Sequence, residues 1–444
     1  MHVDSVRTAS LGDTTYLLRH EGSVIVIDPQ RDIDRFLDVM DGATVTHVLE
    51  THVHNDYVSG GRDLARRTGA DLVMPAGSGV GFAFVPAFHR EVLSGQSGLI
   101  IRPLHTPGHT PEHMSYLVLI DEQPHALFSG GSLLVGSAGR SDLLGIEYAE
   151  QLARLQYGSL QRLAELPDEV GLFPTHGEGS FCTSSGAGRF TSTIGQEKAG
   201  NPLYALADPE EFVASQLGGL TPYPAYYPYM APINRTHPTA ISSVKVPELA
   251  ADEVASMLSH AGVLDGRGRF DFAAGHVPGS IGIETGDSFA PWAGWLFEFN
   301  APLVLVLNDD QDAGAAAIEL ARIGFTNLLG VMYGVEDWRA SGRELAAYET
   351  ATAAQLAGRL HGRWTGQVLD VRDPLEWEAG HIEGSNHRYL PDLRGGVAGT
   401  VNARAPVWVV CRTGNRASIA AGLLERQGIQ PIVVATGGVP DIIQ

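Results

Sequence analysis

The sequence predicts an α/β multidomain protein: a two-sheet α/β sandwich over residues 1–200 with its site along one edge, then two α/β units with parallel sheets over 245–347 and 348–444. Three observations predict this. Residues 1–200 alternate short apolar runs with glycine-rich loops that carry the histidines, the pattern of strands whose ends share a sheet edge. The C-terminal half carries a repeat spaced by about 105 residues. Between the two regions the character changes over residues 201–244: Asp208–Leu217 can form a helix, Thr221–Tyr229 is too rich in proline for a regular element, and the stretch reads as a packed connector.

The totals narrow the function. A chain of 444 residues exceeds one ordinary core. Its net charge of −21, from 30 basic and 51 acidic residues, argues against nucleic acid or an anionic membrane as a general partner. Any anion site must therefore build its own positive potential. Two cysteines, Cys182 and Cys411, exclude a disulfide scaffold and suit a reducing cytoplasm. The opening residues lack the character of a signal peptide, and no apolar run approaches the ~20 residues that span a bilayer.

In the first region Thr14–Arg19, Ser23–Asp28, Val45–Leu49, Asp71–Met74, Leu99–Leu104, Met114–Ile120 and Ala126–Ser129 read as strands. Helical periodicity marks Ile33–Met40, Gly60–Thr68 and Tyr148–Leu166. The strand ending at Leu49 runs into Thr51-His52-Val53-His54-Asn55-Asp56-Tyr57. In extended backbone, side chains two apart point the same way, so His52 and His54 can converge on one ion and Asp56 continues that face. Imidazoles with a carboxylate suit Zn(II) or Fe(II) better than Mg(II). Downstream stations are His105-Thr106-Pro107-Gly108-His109-Thr110, then Phe128-Ser129-Gly130-Gly131-Ser132, then Pro174-Thr175-His176-Gly177.

This ordered set resembles the metallo-β-lactamase fold, an αββα sandwich, and within it the glyoxalase II and persulfide dioxygenase branch. The resemblance covers roughly residues 1–200. Two positions depart from it. Tyr57 stands where most of that superfamily has a metal-binding histidine, and Gly131 stands at the position of a metal-binding aspartate. The iron triad that the resemblance implies would map onto His52, His109 and the side-chain-less Gly131. Three arrangements remain open: one ion on His52, His54 and His109; a metal on Asp56 and His176, alone or as a second centre; or a weak, often empty site. Tyr57 and His113 are expected to orient the ligands, Arg140 and Asp142 to pair locally, Asp28 to cap a turn, and Cys182 to be a packed thiol.

The repeat begins with Leu264-Asp265-Gly266-Arg267 and Ala274-Gly275-His276-Val277-Pro278-Gly279-Ser280. It returns as Leu369-Asp370-Val371-Arg372 and Ala379-Gly380-His381-Ile382-Glu383-Gly384-Ser385. Both copies resemble rhodanese domains. The second carries Cys411-Arg412-Thr413-Gly414-Asn415-Arg416 between a strand and a helix. Backbone N–H groups of that loop (Thr413, Gly414, Asn415) and the helix start make an anion cradle, with Arg412 and Arg416 adding charge around a Cys411 persulfide. Aligning Gly324 with Gly428 puts Leu307 at the cysteine position of the first copy, before the acidic Asn308-Asp309-Asp310-Gln311-Asp312. That copy is expected to be inactive, a spacer or docking surface.

Together the parts resemble the fused persulfide dioxygenase–rhodanese proteins of bacteria. The resemblance implies oxidation of a glutathione persulfide-like substrate to sulfite at one Fe(II) per chain, with Zn(II) as the alternative and no organic cofactor. It also implies movement of sulfane sulfur among thiosulfate, sulfite and thiols through Cys411, in a homo-oligomer, dimer or tetramer. The alternatives are a zinc-dependent hydrolase of thioesters or thiol conjugates joined to the sulfurtransferase, and a degenerate metal domain that scaffolds the rhodanese.

Overall fold

The structure is a computed structural model, and it describes residues 1–443 apart from 95–97, 178–179, 183–188, 237–238, 242–243, 362–363 and 398. The chain forms two compact units, one of Met1–Ser243 with Ala321–Gly324, the other of Val244–Leu320 with Phe325–Gln444. No helix among the described residues is long and apolar enough to cross a membrane.

The first unit is an αββα sandwich. One sheet holds, in chain order, His2–Thr8, Asp13–His20, Ser23–Ile27, Thr44–Leu49, Asp71–Pro75 and Val85–Ala87. The other runs Ser192–Thr193, Gly171–Pro174, Gln123–Gly130, Met114–Ile120, Leu99–His105 and Leu93–Ser94. Alternation along each strand sorts the core into layers. Tyr16, Leu18, Ile25 and Ile27 face Ile101, Tyr116, Val118 and Phe128 between the sheets. Their neighbours Leu17, Val24, Val26 and Val48 face outward onto Phe36, Met40 and Leu64 of the helices Asp34–Met40 and Gly61–Thr68. On the opposite side Leu117, Leu119 and Leu127 pack on Leu160 and Leu163 of Ile146–Leu163 and on Phe212 of Pro209–Gly218. The apolar runs therefore became strands as expected, with His2–Thr8 the long strand that polar residues hid.

The proline- and tyrosine-rich stretch differs from expectation. Tyr227–Arg235 is a helix, with Pro228 in its first turn, where proline lacks only an N–H that would be unpaired anyway. Residues up to 243 fold with the first unit. Tyr226 and Tyr227 are buried, and Asn234 of the same helix binds the histidine loop: its side chain donates to the His54 and Tyr57 carbonyls at 2.9 and 2.8 Å and accepts from the Ser59 N–H at 2.9 Å. The supposed connector clamps the histidine loop.

In the second unit each repeat builds a parallel sheet. The first orders Ile281–Gly282, Gly262–Asp265, Leu303–Leu307 and Leu328–Tyr333. The second orders Glu349–Thr352, Pro431–Thr436, Val407–Val410, Gln367–Asp370 and Asn386–His387. Register fixes the correspondence between them: Asp265 pairs with Val306 and Asp370 with Val410, so Leu307 takes the place of Cys411.

The repeated Asp-x-Arg and Gly-His stations are fastenings. Arg372 binds Asp370 through Nε and a terminal nitrogen at 3.0 and 2.7 Å and reaches the Gly380 carbonyl at 2.8 Å. Arg267 does the same with Asp265 and Gly275, at 2.9, 2.7 and 2.8 Å. Each following histidine bonds a carbonyl one turn back and stacks on an aromatic ring, His276 on Phe272 and His381 on Trp377. Asp370 is fully buried, so Arg372→Leu strands its charge. That substitution is expected to destabilise the second unit by about 3–5 kcal/mol, measured as a shift of its own transition in urea unfolding.

Candidate active sites

The first candidate site lies where the strands Thr44–Leu49, Gln123–Gly130 and Gly171–Pro174 end. His52, His54, His109, His113 and His176 are all buried there, with His52 and His54 ring centroids 4.2 Å apart and His52 and His109 4.9 Å apart. Groups whose potential ligand atoms lie within 4.8 Å of one another are His52–His54–His176, His109–His176–Cys182, Asp13–Asp56–His176 and Asp28–Glu50–His54. The trio His52–His54–His109 is not among these groups. His176 is the shared member of three of them.

Hydrogen bonds show which atoms remain for an ion. His109 Nδ1 lies 2.9 Å from the Arg140 carbonyl; a carbonyl only accepts, so Nδ1 carries the proton and the Nε2 lone pair is free. That Nε2 is buried without a partner, as are His54 Nδ1, Asp56 Oδ1 and Asp13 Oδ2. His176 Nδ1 sits between Asp13 and Asp56 at 2.9 and 3.1 Å, with its Nε2 3.4 Å from His52 Nε2. Buried polar atoms in a native fold are paired, with protein, water or an ion. A cluster of four orphans converging on imidazoles and carboxylates fits a cation.

His54 and Tyr57 serve a neighbouring net. His54 Nε2 contacts Glu50, the Tyr57 hydroxyl and Asp28 at 2.9, 3.0 and 3.3 Å. Asp28 does not cap an exposed turn; it lies beneath the site and accepts from the Thr51 N–H and hydroxyl, both at 2.7 Å, and from the Thr175 hydroxyl. His113 accepts from the Gly131 N–H at 3.0 Å while its other nitrogen meets Thr106 at 2.9 Å. Arg140 and Asp142 pair at 2.6 and 2.7 Å as expected. Cys182 is more than packed: its thiol donates to Asp56 at 3.4 Å.

The electrostatics divide the histidines. Burial, reinforced by neighbouring imidazoles, pushes His52 and His113 well below the ordinary value and His109 down to about 3. Burial opposes charge on His176 as well, yet Asp56 and Asp13 carry it up to about 10, and Asp28 and Glu50 raise His54 likewise. Burial and the Asp56 charge push Asp13 up to about 7, whereas His176 outweighs burial and holds Asp56 low. Burial, with Asp56 and Asp13 close by, keeps the Cys182 thiol protonated in the metal-free protein. Asp13, Glu50 and Asp28 escape a sequence reading because single acids at strand ends look like turns; only the fold brings them to the histidines.

The second candidate site follows Val407–Val410. Cys411 is 1% exposed, and the Gly414 N–H points at its Sγ from 3.1 Å at the start of the helix Asn415–Glu425. Gly414 has φ +95, and a Cβ there would lie 2.4 Å from the Ala435 carbonyl oxygen. Thr413 and Arg412 are exposed. Arg416 is committed elsewhere: it grips Glu376 at 2.5 and 2.9 Å and Asp373 at 3.6 Å. The Asn415 side chain turns away to Glu284, at 3.3 Å. The first repeat thus reaches this loop, since Arg269 pairs with Glu284 and donates to the Thr413 carbonyl at 3.3 Å.

Residues 11–176 match the Metallo-beta-lactamase superfamily, and residues 250–341 and 352–444 each match the Rhodanese-like domain. Hydroxyacylglutathione hydrolase of Rhizobium etli is 27% identical over 225 residues, covering 42% of this chain and 83% of the relative. A crystal structure of a metallo-beta-lactamase from Staphylococcus aureus superposes with TM-score 0.68 at 27% identity, covering 75% of this chain and 99% of that one. The crystal structure of ETHE1 from Myxococcus xanthus is 32% identical with TM-score 0.46, covering 53% of this chain and 98% of that one.

Two outcomes are expected at the cysteine loop. Gly414→Ala meets the Ala435 carbonyl and moves the N–H that faces Cys411, so sulfur transfer from thiosulfate to a thiol should fall on the order of 10²-fold and the second unit should lose about 1–3 kcal/mol of stability in urea unfolding. Against its burial, Arg416 holds the Glu376 carboxyl down to about 2 from 4.5. A depressed carboxyl gives stability that is whole above 4.5 and lost as pH falls toward 2. The stability gap between the natural protein and Glu376→Gln should therefore close over that acid range, as followed by thermal unfolding at successive pH values.

Proposed function

The chain joins a metallo-β-lactamase-superfamily domain to two rhodanese-like domains, and on that premise we propose a sulfur-metabolism enzyme that carries sulfane sulfur on Cys411 and processes a small thiol derivative at the buried centre of its first unit. The single observation behind the sulfurtransferase is the Gly414 N–H at 3.1 Å from Cys411 Sγ, at a helix start. Backbone donors and the helix dipole there favour an anionic sulfur. The Cys411 thiolate attacks the outer sulfur of thiosulfate, a new S–S bond forms, and sulfite departs with the electron pair of the broken bond. An acceptor thiolate then takes the terminal sulfur and returns the Cys411 thiolate. The first repeat, with Leu307 at the equivalent position, has no nucleophile and supports the loop through Arg269 and Glu284.

In the first unit the unpartnered atoms of His109, Asp56, Asp13 and His54, with His52 and His176 beside them, fit a cation. Zinc held there supplies a Lewis acid and a bound water of lowered pKa, the chemistry of thioester hydrolysis. The residues around it have defined tasks: Arg140 fixes the His109 tautomer, Asp13 and Asp56 hold a proton on His176 Nδ1, and Tyr57 and Glu50 anchor His54. Hydrolysis of a glutathione-type thiol conjugate is the reading that this donor set and the hydroxyacylglutathione hydrolase relative support. Persulfide oxidation with Fe(II) is the second reading, favoured by a persulfide-carrying cysteine in the same chain. Both cysteines are free, which suits a reducing compartment.

Elemental analysis with oxygen-uptake and thioester assays tests the assignment. Zinc with hydrolysis of a glutathione thioester and no uptake on glutathione persulfide is the expected result. Stoichiometric iron with uptake that His109→Ala abolishes would replace hydrolysis by oxygenation. Cys411→Ser is expected to abolish sulfur transfer and to leave the activity of the first unit unchanged.

A further inference from the structure

We infer that Cys182 is a metal ligand: with His109 and His176, and with Asp56 beside them, it forms a thiolate-containing site for a zinc-like cation. The inference rests on the reading that the first unit binds a metal, and it names the anionic donor that position 131 cannot provide.

The Cys182 sulfur and one nitrogen from each of His109 and His176 lie within 4.8 Å of one another, and all three residues are fully buried. A thiol alone would prove little. The independent observation is that His109 Nε2 and Asp56 Oδ1 are buried without partners at the same place, although His109 keeps its proton on the opposite nitrogen, toward Arg140. One residue positions two of the donors. The Arg140 carbonyl takes the His109 bond at 2.9 Å, its N–H donates to the Cys182 carbonyl at 3.1 Å, and its guanidinium donates to the Phe181 carbonyl at 3.0 Å.

Gly131 completes the case. A Cβ on that residue would lie 2.3 Å from His109 Cδ2 and 2.7 Å from its Nε2. The imidazole therefore lies in the space beside position 131, and a side chain there would have to displace it. Sulfur supplies the negative charge that the lost carboxylate would have given. A thiolate with imidazoles selects zinc or cobalt over magnesium and calcium.

The test uses full-length protein stripped of metal by a chelator, with Cys411→Ser as background so that Cys182 is the only thiol. Cobalt(II) titration is expected to raise an intense sulfur-to-cobalt charge-transfer absorption in the near ultraviolet, lost when Cys182→Ser is added. Cobalt bound by equilibrium dialysis without that absorption overturns the thiolate ligand and leaves the metal reading standing. No bound cobalt overturns both. X-ray absorption of the zinc-loaded Cys411→Ser protein gives an answer that does not depend on the Cys182 variant folding. A sulfur scatterer at about 2.3 Å is expected, and a shell of nitrogen and oxygen alone overturns the inference.

Discussion

A carboxylate taken wholly out of water must be met by donors on every side, and Asp28 is where the first unit meets that demand. It has no exposure, and its acceptors are filled by Thr51, Thr175 and His54. Thr51 precedes His52 and Thr175 precedes His176, so satisfying one buried acid sets the position of two histidine loops that lie far apart in the chain. Pairing of the adjacent strands brings the loops to the same edge; the Asp28 bonds fix how deep each histidine sits. A weakened Asp28 would leave the strands paired and the imidazoles misaligned.

The same low-dielectric setting sorts the imidazoles by role. His54 and His176, clamped by carboxylates, carry charge in the metal-free protein, while His52, His109 and His113 stay neutral. The protons on His54 and His176 balance part of the charge of Asp28, Glu50, Asp13 and Asp56. A cation entering the cluster takes over that balancing role, so metal binding and proton release are coupled. Neutral His109, with its lone pair fixed by Arg140, needs no such exchange.

How much of this was legible in the sequence varied with how local the cause was. Strands of the first unit were legible because alternating apolar residues report burial directly, and the repeat was legible because the Asp-x-Arg and Gly-His stations recur. The helix Tyr227–Arg235 was not, because Pro228 in its first turn and Pro232 in its interior mask the periodicity. The histidines announced a site and the closeness of His52 and His54, but the carboxylates around them were not legible: Glu50 and Asp28 also hold His54, and His176 is shared by three of the possible donor groups. Cys182 looked like packing because its partners, Asp56 and Tyr227, lie far from it in sequence.

At the cysteine loop the sequence suggested a cradle of backbone N–H groups with two arginines adding positive potential, in a chain of net charge −21. The structure redistributes that role. Arg416 is bound by Glu376 and Asp373, so it ties the helix Asn415–Glu425 to the start of the helix Pro374–Ala379. What faces Cys411 is the Gly414 N–H, which no acid in the background can neutralise because its dipole is part of the backbone. That explains the glycine: φ of +95 and the Ala435 carbonyl against the missing Cβ are the conditions under which the N–H reaches the sulfur. An anion site made from backbone geometry tolerates an acidic surface better than one made from side-chain charge.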